Sequence, residues 1–383
     1  MNSEADYRLL LLDISYFSGK VEAYLRYKGV AYQREDISWR RFAREVLPEV
    51  GLMKVPVVAT PDGQWLKDST PIMDWFEQRQ PEPSVLPDDP VARLLARLLE
   101  DYADEWLWRP ALHYRWSYRP DALLYSRRIV AESLADQPAP QWLLRANLRR
   151  RQRREYVRGD GVTRATRAHV EAVYLDTLDR LQALLSRWPF ISGERPSLAD
   201  FGFFASMFRH FSIDPTPSRI MRERAPAVYQ WTARLWAAPG SELGQAAWPG
   251  VDELADRWLP LLRDMGSGYL DYLHANAVAL GRGERWFDWN CGGVVYRGLP
   301  VVRYRAWCRE RLQQHYHALG EGDRARADLV LEGAGVLEPL LRDGALASGI
   351  DLPAGGEAAV CRPPYKLGLG ERFALGWPAW NRD

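Results

Sequence analysis

The sequence predicts an α/β domain built on a mixed sheet, followed by an all-helical domain and a mostly helical extension. Strand and helix patterns alternate over residues 7–77, a proline- and acid-rich segment follows, and apolar residues recur at helical spacing from Val91 onward. The expected divisions are residues 1–80 for the first domain, 81–90 for a linker, 91–250 for the helical domain and 251–383 for the extension.

Each element of the first domain has a local signal. The apolar run Tyr7–Leu12 predicts a strand, and the helix after it ends at Gly29, a residue suited to a left-handed C-cap. Ser38 is the N-cap candidate of a second helix, which we expect to stop before Pro48. Two short strands, VPVVAT and QWLKD, form a hairpin, and STPIMDWFEQ begins a third helix. The predicted order is β-α-β-α-β-β-α.

The rest of the chain is predicted to be mainly helical. An apolar stripe runs from Val91 to Trp106, and Pro110 should kink or end that helix. The extension carries a predicted β-hairpin at 285–298, around Gly292 and Gly293. The chain closes on an aromatic tail, which we expect to fold back over the helical domain. Its aromatic residues are Tyr365, Phe373, Trp377 and Trp380.

Composition excludes several classes of protein. The formal net charge is +1, and no apolar stretch approaches the length of a membrane span. The three cysteines are few and odd in number, and the first residues make a poor signal peptide, so we expect a cytoplasmic protein without a disulfide framework. Cys291, Cys308, His315 and His317 lack the spacing of a zinc finger, so no metal is expected.

Seven arginines lie between Arg145 and Arg158, a run that could form a nucleic-acid patch. Few aromatic residues interleave with them, and the charge of the whole chain is balanced. We therefore expect these arginines to pair with the acidic face of a neighbouring helix or subunit, and we expect no nucleic-acid partner.

Three short features of the first domain are candidates for chemistry. The turn Ser15–Ser18 joins the first strand to the first helix, Val55-Pro56 begins the third strand, and Asp68-Ser69 begins the third helix. A helix N-terminus offers unpaired backbone N–H groups and positive potential, which suit an anionic ligand. Each feature is weak alone, but their order and spacing form one pattern.

These stretches resemble the cytosolic glutathione S-transferases. The matching segments are SYFSGKVEAYLRYKG, MKVPVVATPDGQWLKDST and SLAD, and the resemblance covers roughly residues 7–240. It implies a thioredoxin-like first domain, glutathione as co-substrate, and conjugation of its thiol to a hydrophobic electrophile in a detoxification role. It also implies a homodimer. A non-catalytic protein that binds glutathione and serves as an interaction partner is the alternative.

The resemblance also implies roles for individual residues. Ser15 would donate a hydrogen bond to the glutathione thiolate, with Tyr16 and Ser18 as fallback donors. Val55 would offer its backbone to the cysteinyl part, and the Val55–Pro56 bond should be cis. Pro56 is counted with Val55 among the glutathione-binding residues. The other implied contacts are Lys54 at the glycyl carboxylate, and Asp68 and Ser69 at the γ-glutamyl end. Helix capping is the alternative role for Asp68-Ser69, and a solvated side chain is the alternative for Lys54.

The second substrate is expected to lie against the helix that begins at Val91. The cleft candidates are Asp104, Trp108, His113 and Tyr114. By analogy this helix also meets the second subunit. The alternative is that the acidic side of the helix is solvated, with Glu105 paired to Arg109 at i,i+4.

Overall fold

The structure is a computed structural model that describes residues 7–353 and 355–363. The aromatic tail with Tyr365, Phe373, Trp377 and Trp380 lies outside the described residues, so the expected folding back of this tail stays a prediction.

The first domain has the predicted element order. Its sheet has the strand order β2-β1-β3-β4, in which β1 and β2 are parallel and the other pairs are antiparallel. The helices cover the sheet and bury its apolar residues. The elements are β1 (Tyr7–Leu11), α1 (Tyr16–Lys28), β2 (Tyr32–Asp36), α2 (Trp39–Arg41), a π-helical turn (Phe42–Val46), α3 (Leu47–Val50), β3 (Val57–Ala59), β4 (Trp65–Lys67) and α4 (Ser69–Arg79).

Two of the predicted helix ends are confirmed and one is wrong. Gly29 ends α1 with φ 69°, and the Ser38 side chain accepts a hydrogen bond from the Arg41 N–H at 3.3 Å. The second helical segment does not stop before Pro48. The π-helical turn ends at Val46, and α3 begins at Leu47. Pro48 therefore falls in the first turn of α3, where its missing N–H is not needed.

The second domain is all-helical. The first helix breaks at Leu107, and Pro110 lies in the first turn of the next helix, as its position predicted. The helices are α5 (Pro90–Trp106), α6 (Trp108–Ser117), α7 (Arg119–Ser133), α8 (Gln141–Gln152) with a π-helical turn (Arg153–Arg158), α9 (Arg167–Leu185), α10 (Leu198–Ser206) with a π-helical turn (Met207–Phe211), α11 (Pro215–Arg224), α12 (Pro226–Trp236) and α13 (Gly240–Leu243).

The extension is helical apart from the predicted hairpin, which is present as β5 and β6. Its last described residues return to the first domain, where the Cys361 N–H donates to the Trp65 carbonyl on the edge strand β4 at 2.8 Å. The elements are α14 (Val251–Asp264), a π-helical turn (Met265–Tyr269), α15 (Leu270–Gly281), β5 (Trp286–Cys291), β6 (Val294–Pro300), α16 (Arg303–His317), α17 (Glu321–Gly333), α18 (Leu337–Leu341) and a 3-10 turn (Gly355–Ala359).

Within the described residues, no helix is long and apolar enough to cross a membrane. The three cysteines are free thiols.

The acidic side of α5 is covered by protein, so the alternative of a solvated face with a Glu105–Arg109 pair is wrong. Helices α14, α16 and α17 of the same chain pack along α5. The Glu105 side chain is only 8% exposed and lies 3.9 Å from Arg305 of α16. Arg109 instead pairs with Asp160 at 3.3 Å. The extension therefore occupies one side of the helix that was expected to meet a second subunit.

Among the described residues, the arginine run of α8 and its π-helical turn forms ion pairs only within its own segment, so the expected pairing with a neighbouring helix is wrong, and pairing with a second subunit stays a prediction. Arg151 and Arg154 both bind Glu155, which belongs to the same segment. Arg153 donates to the Trp116 carbonyl at 2.7 Å. The run is thus held by local pairing and by backbone acceptors of α6.

A capping box fixes the start of α10, as the SLAD stretch indicated. The Ser197 side chain accepts from the Ala199 N–H at 3.2 Å, and the Asp200 carboxylate accepts from the Ser197 N–H at 3.0 Å. The fully buried Asp200 also accepts from the Ile191 N–H at 2.7 Å and from the indole N–H of Trp231 at 3.3 Å. It therefore holds α10, α12 and the loop before α10 together.

We predict that Asp200→Ala lowers the free energy of unfolding by at least about 3 kcal/mol, because several buried donors lose their charged acceptor. Urea denaturation measures this loss. The control is Asp179→Ala: Asp179 binds Arg224 at 2.6 Å, but its side chain is 50% exposed, so the loss should stay below about 1 kcal/mol. Equal losses in the two variants would contradict the structural role of Asp200.

Candidate functional site

Ser15 is the N-cap of α1 and lies on the wall of a cavity between the two domains. Its Oγ accepts a hydrogen bond from the Ser18 N–H at 3.3 Å. Because this bond uses a lone pair of the oxygen, the hydroxyl proton can be donated to another group. The serine thus combines a hydroxyl donor with the positive end of a helix.

The two fallback donors are placed differently. The Tyr16 hydroxyl is buried and donates to the Ala103 carbonyl at 2.8 Å, so it faces α5 while its ring borders the cavity. Burial raises the pKa of Tyr16 well above its usual value. The Ser18 side chain is fully buried and makes no hydrogen bond to the described residues. Of the three candidates, Ser15 is the one that both lines the cavity and keeps partial exposure to solvent.

The Val55–Pro56 peptide bond is cis, as predicted. Val55 and Lys54 line the same cavity as Ser15. Lys54 is exposed, and its Nζ lies 5.4 Å from the centre of the Tyr304 ring. A stretch of backbone and a lysine side chain thus border the cavity that Ser15 also lines.

Asp68 and Ser69 stand at the start of α4, and Asp68 does not act as a simple cap. Its side chain accepts no N–H of α4, and its backbone has a left-handed φ of 71°. The carboxylate accepts a hydrogen bond from the Tyr304 hydroxyl at 3.1 Å. Burial raises the pKa of Asp68, while the Lys54 ammonium and the Tyr304 hydroxyl oppose that shift. Ser69 is buried as the first residue of α4.

The cavity has a volume of about 230 Å³ and a largely apolar wall. Both domains contribute to it, so it lies across their interface. Its apolar and aromatic lining residues are Leu12, Ile14, Tyr16, Phe17, Ile37, Trp39, Phe42, Met53 and Val55 from the first domain, and Trp108, Leu112, Trp116, Ile129, Leu134, Leu148 and Tyr156 from the helical domain.

The structure places one of the four expected cleft residues on this cavity. Trp108 lines it, and its ring stacks on Phe17 with centroids 6.0 Å apart. Asp104 is buried instead in an ion pair with Lys20. His113 lies 2.9 Å from Glu171, and Tyr114 stacks on Tyr118, so both belong to the packing of the helical domain.

Two arginines of the helical domain hold the backbone just before Ser15. The Arg115 guanidinium donates to the Ile14 carbonyl at 3.0 Å and binds both carboxylate oxygens of Asp214 at 2.7 Å. Arg209 binds Asp13 and also donates to Glu22 at 2.8 Å. The turn that carries Ser15 is thereby fixed to the second domain.

Sequence reasoning missed most of the cavity wall and both arginine contacts. Ile37, Trp39 and Phe42 line the cavity from just before the second helical segment, from α2 and from the π-helical turn, respectively. Arg209 follows a buried aromatic run, and no nearby residue in the sequence indicates that it binds Asp13 and Glu22. These contacts join residues far apart in the chain, so only the tertiary structure brings them together.

Two family models match the chain. One is described as glutathione S-transferase, N-terminal domain, and matches residues 9–84; the other is described as glutathione S-transferase, C-terminal domain, and matches residues 164–234. Among curated proteins, a probable glutathione S-transferase of Solanum tuberosum is 31% identical over 101 residues, which are 26% of this chain and 46% of that protein. Glutathione S-transferase U8 of Arabidopsis thaliana is 33% identical over 108 residues, which are 27% of this chain and 48% of that protein.

The aligned part thus spans about half the length of these two relatives. Among solved structures, the Tau class glutathione S-transferase from mango, Mangifera indica, aligns with 19% identity and a TM-score of 0.41. That alignment covers 66% of this chain and 97% of the mango protein. The chain is therefore similar to glutathione S-transferases over two segments, residues 9–84 and 164–234, which match the N-terminal and C-terminal domain of these proteins.

Proposed function

We propose that the protein binds glutathione along the first domain, from Asp68 and Ser69 past Val55 to Ser15, and conjugates its thiol to an electrophile held in the cavity. The observation that carries this proposal is the position of Ser15. It combines a helix N-terminus, a hydroxyl and the border of an apolar cavity next to the cis Val55–Pro56 bond.

The turn would activate the thiol by stabilising its anion. A free thiol has a pKa of about 8.5, and a helix N-terminus together with a hydroxyl donor lowers that value. The Ser15 hydroxyl would donate to the sulfur, and the thiol proton would leave to solvent. Arg115 and Arg209 support this geometry, since they hold the backbone that precedes Ser15.

The thiolate would then attack the electrophilic carbon of the second substrate. A carbon–sulfur bond forms, and in a substitution the leaving group departs with the electron pair of its broken bond. The stacked pair of Phe17 and Trp108 and the apolar wall around it suit a flat, uncharged substrate. Exclusion of water by this wall would also strengthen the hydrogen bond from Ser15 to the sulfur.

We predict that Ser15→Ala lowers kcat for glutathione and a chloronitroaromatic substrate by about 100-fold near neutral pH, the loss typical of removing one donor to a developing anion. The pKa of bound glutathione, read from thiolate absorbance, should rise toward about 8.5. Activity in the variant should recover at higher pH, because hydroxide then removes the thiol proton without help.

The matched control is Ser18→Ala, which removes a hydroxyl three residues along the same turn. This side chain is buried without a hydrogen-bond partner among the described residues, so kcat and the thiol pKa should be unchanged. Loss of activity in Ser18→Ala with full activity in Ser15→Ala would contradict the assignment. If the wild type does not bind glutathione at millimolar concentration, the proposed function itself is contradicted.

We further predict that Trp108→Ala raises the KM for an aromatic electrophile about tenfold, because the stacked wall of the cavity is lost. The pKa of bound glutathione should not change, since Trp108 does not belong to the thiol site. Trp142→Ala is the control: Trp142 is 70% exposed on α8 and does not line the cavity. A KM unchanged by Trp108→Ala would mean that the electrophile binds elsewhere.

A further inference from the structure

Residues outside both matched domains reach the glutathione site of the proposed function. Tyr304 is the second residue of α16, and its hydroxyl donates to the two Asp68 carboxylate oxygens at 3.1 and 3.4 Å. The Lys54 ammonium lies 5.4 Å from the centre of the Tyr304 ring. The start of α16 thus lies over the first turn of α4, with Lys54 beside it.

The Asp68 carboxylate is oriented by this contact. It does not cap α4, although it stands at the N-cap position, and its backbone has the left-handed φ of 71° that few aspartates adopt. Tyr304 is the hydrogen-bond partner of its side chain within the described residues. A residue of the extension therefore contacts this carboxylate directly.

The chemistry of the pair suits an α-ammonium group. A carboxylate has about four acceptor positions, and one tyrosine hydroxyl occupies only part of them. A tyrosine oxygen can accept a hydrogen bond while its hydroxyl donates one, so an ammonium beside Asp68 and Tyr304 has acceptor chemistry on both residues. Asp68 and Tyr304 as whole residues keep partial exposure to solvent.

We propose that Tyr304 is a ligand-binding residue that completes the γ-glutamyl end of the glutathione site from the extension. The inference rests on the proposed function, because it assumes that glutathione lies with its γ-glutamyl group at Asp68 and Ser69. It assigns to the extension a direct part in binding the co-substrate.

The test is the affinity of Tyr304→Phe for glutathione, measured by calorimetry. The variant keeps the ring next to Lys54 and loses only the hydroxyl, and the dissociation constant should rise about tenfold, as expected for a hydrogen bond to a charged group. The dipeptide cysteinylglycine lacks the γ-glutamyl group, so its affinity should be the same for both proteins. The kcat at saturating glutathione and the thiol pKa should not change.

Tyr316→Phe is the control variant, because Tyr316 is a second tyrosine of α16 whose hydroxyl also donates to a carboxylate, Asp328, at 2.6 Å. Its affinity for glutathione should equal that of the wild type. In a double-mutant cycle, Tyr304→Phe should still weaken binding in the Asp68→Asn background, because the ammonium also donates to the Tyr304 oxygen, and the two losses should not add fully, because the two groups are hydrogen-bonded to each other.

The inference is overturned if the wild type binds glutathione and Tyr304→Phe binds it equally well or more tightly. Tighter binding would mean that the hydroxyl competes with the ligand for Asp68. An equal loss of affinity for cysteinylglycine would also overturn it, since the effect would then not involve the γ-glutamyl group. Absence of binding by the wild type would overturn the proposed function, and the inference with it.

Discussion

Helix α5 carries four carboxylates into the interior of the protein, and each of them needs a compensating group, because an unpaired buried charge costs several kcal/mol. Two are bound by Lys20 of α1, and the other two are met by groups of the extension. Burial also raises the pKa of Asp101 to about 8 and that of Glu105 to about 7, which limits repulsion between them. The four residues are Glu100, Asp101, Asp104 and Glu105.

This requirement joins the three parts of the chain. Burial lowers the pKa of Lys20, but the carboxylates of Asp104 and Glu100 outweigh burial and raise it, so the ammonium stays charged between them. Lys20 lies little more than one turn after Ser15, so the same ion pairs that hold α1 against α5 also position the turn at the cavity. On the other side of α5, Arg305 and Tyr269 of the extension complete the compensation. The extension is thus part of the folded core.

Much of the fold was predictable because its signals are local. The Gly29 and Ser38 caps, the capping box at Ser197 and the hairpin around Gly292 depend on neighbouring residues, and each is present. The end of the second helix was not predictable from Pro48, since a π-helical turn changes the position of that proline within the helix.

The site was predictable only in its first-domain half. The cis Val55–Pro56 bond and the placement of Ser15 at a helix start followed from the family pattern and from capping chemistry. The cavity wall depends on side chains from helices far apart in the chain, which no local periodicity distinguishes from core packing. Asp104 is an example. It was expected in the cleft, but it forms a buried ion pair with Lys20, which lies 84 residues away in the chain and so gives no local signal.

The most direct measurement is a crystal structure of the protein with an S-alkyl glutathione, which cannot react further. We expect the sulfur within hydrogen-bond distance of Ser15 Oγ, the cysteinyl backbone beside Val55, and the γ-glutamyl ammonium between Asp68 and Tyr304. A ligand bound away from these residues, or no bound ligand at saturating concentration, would contradict it.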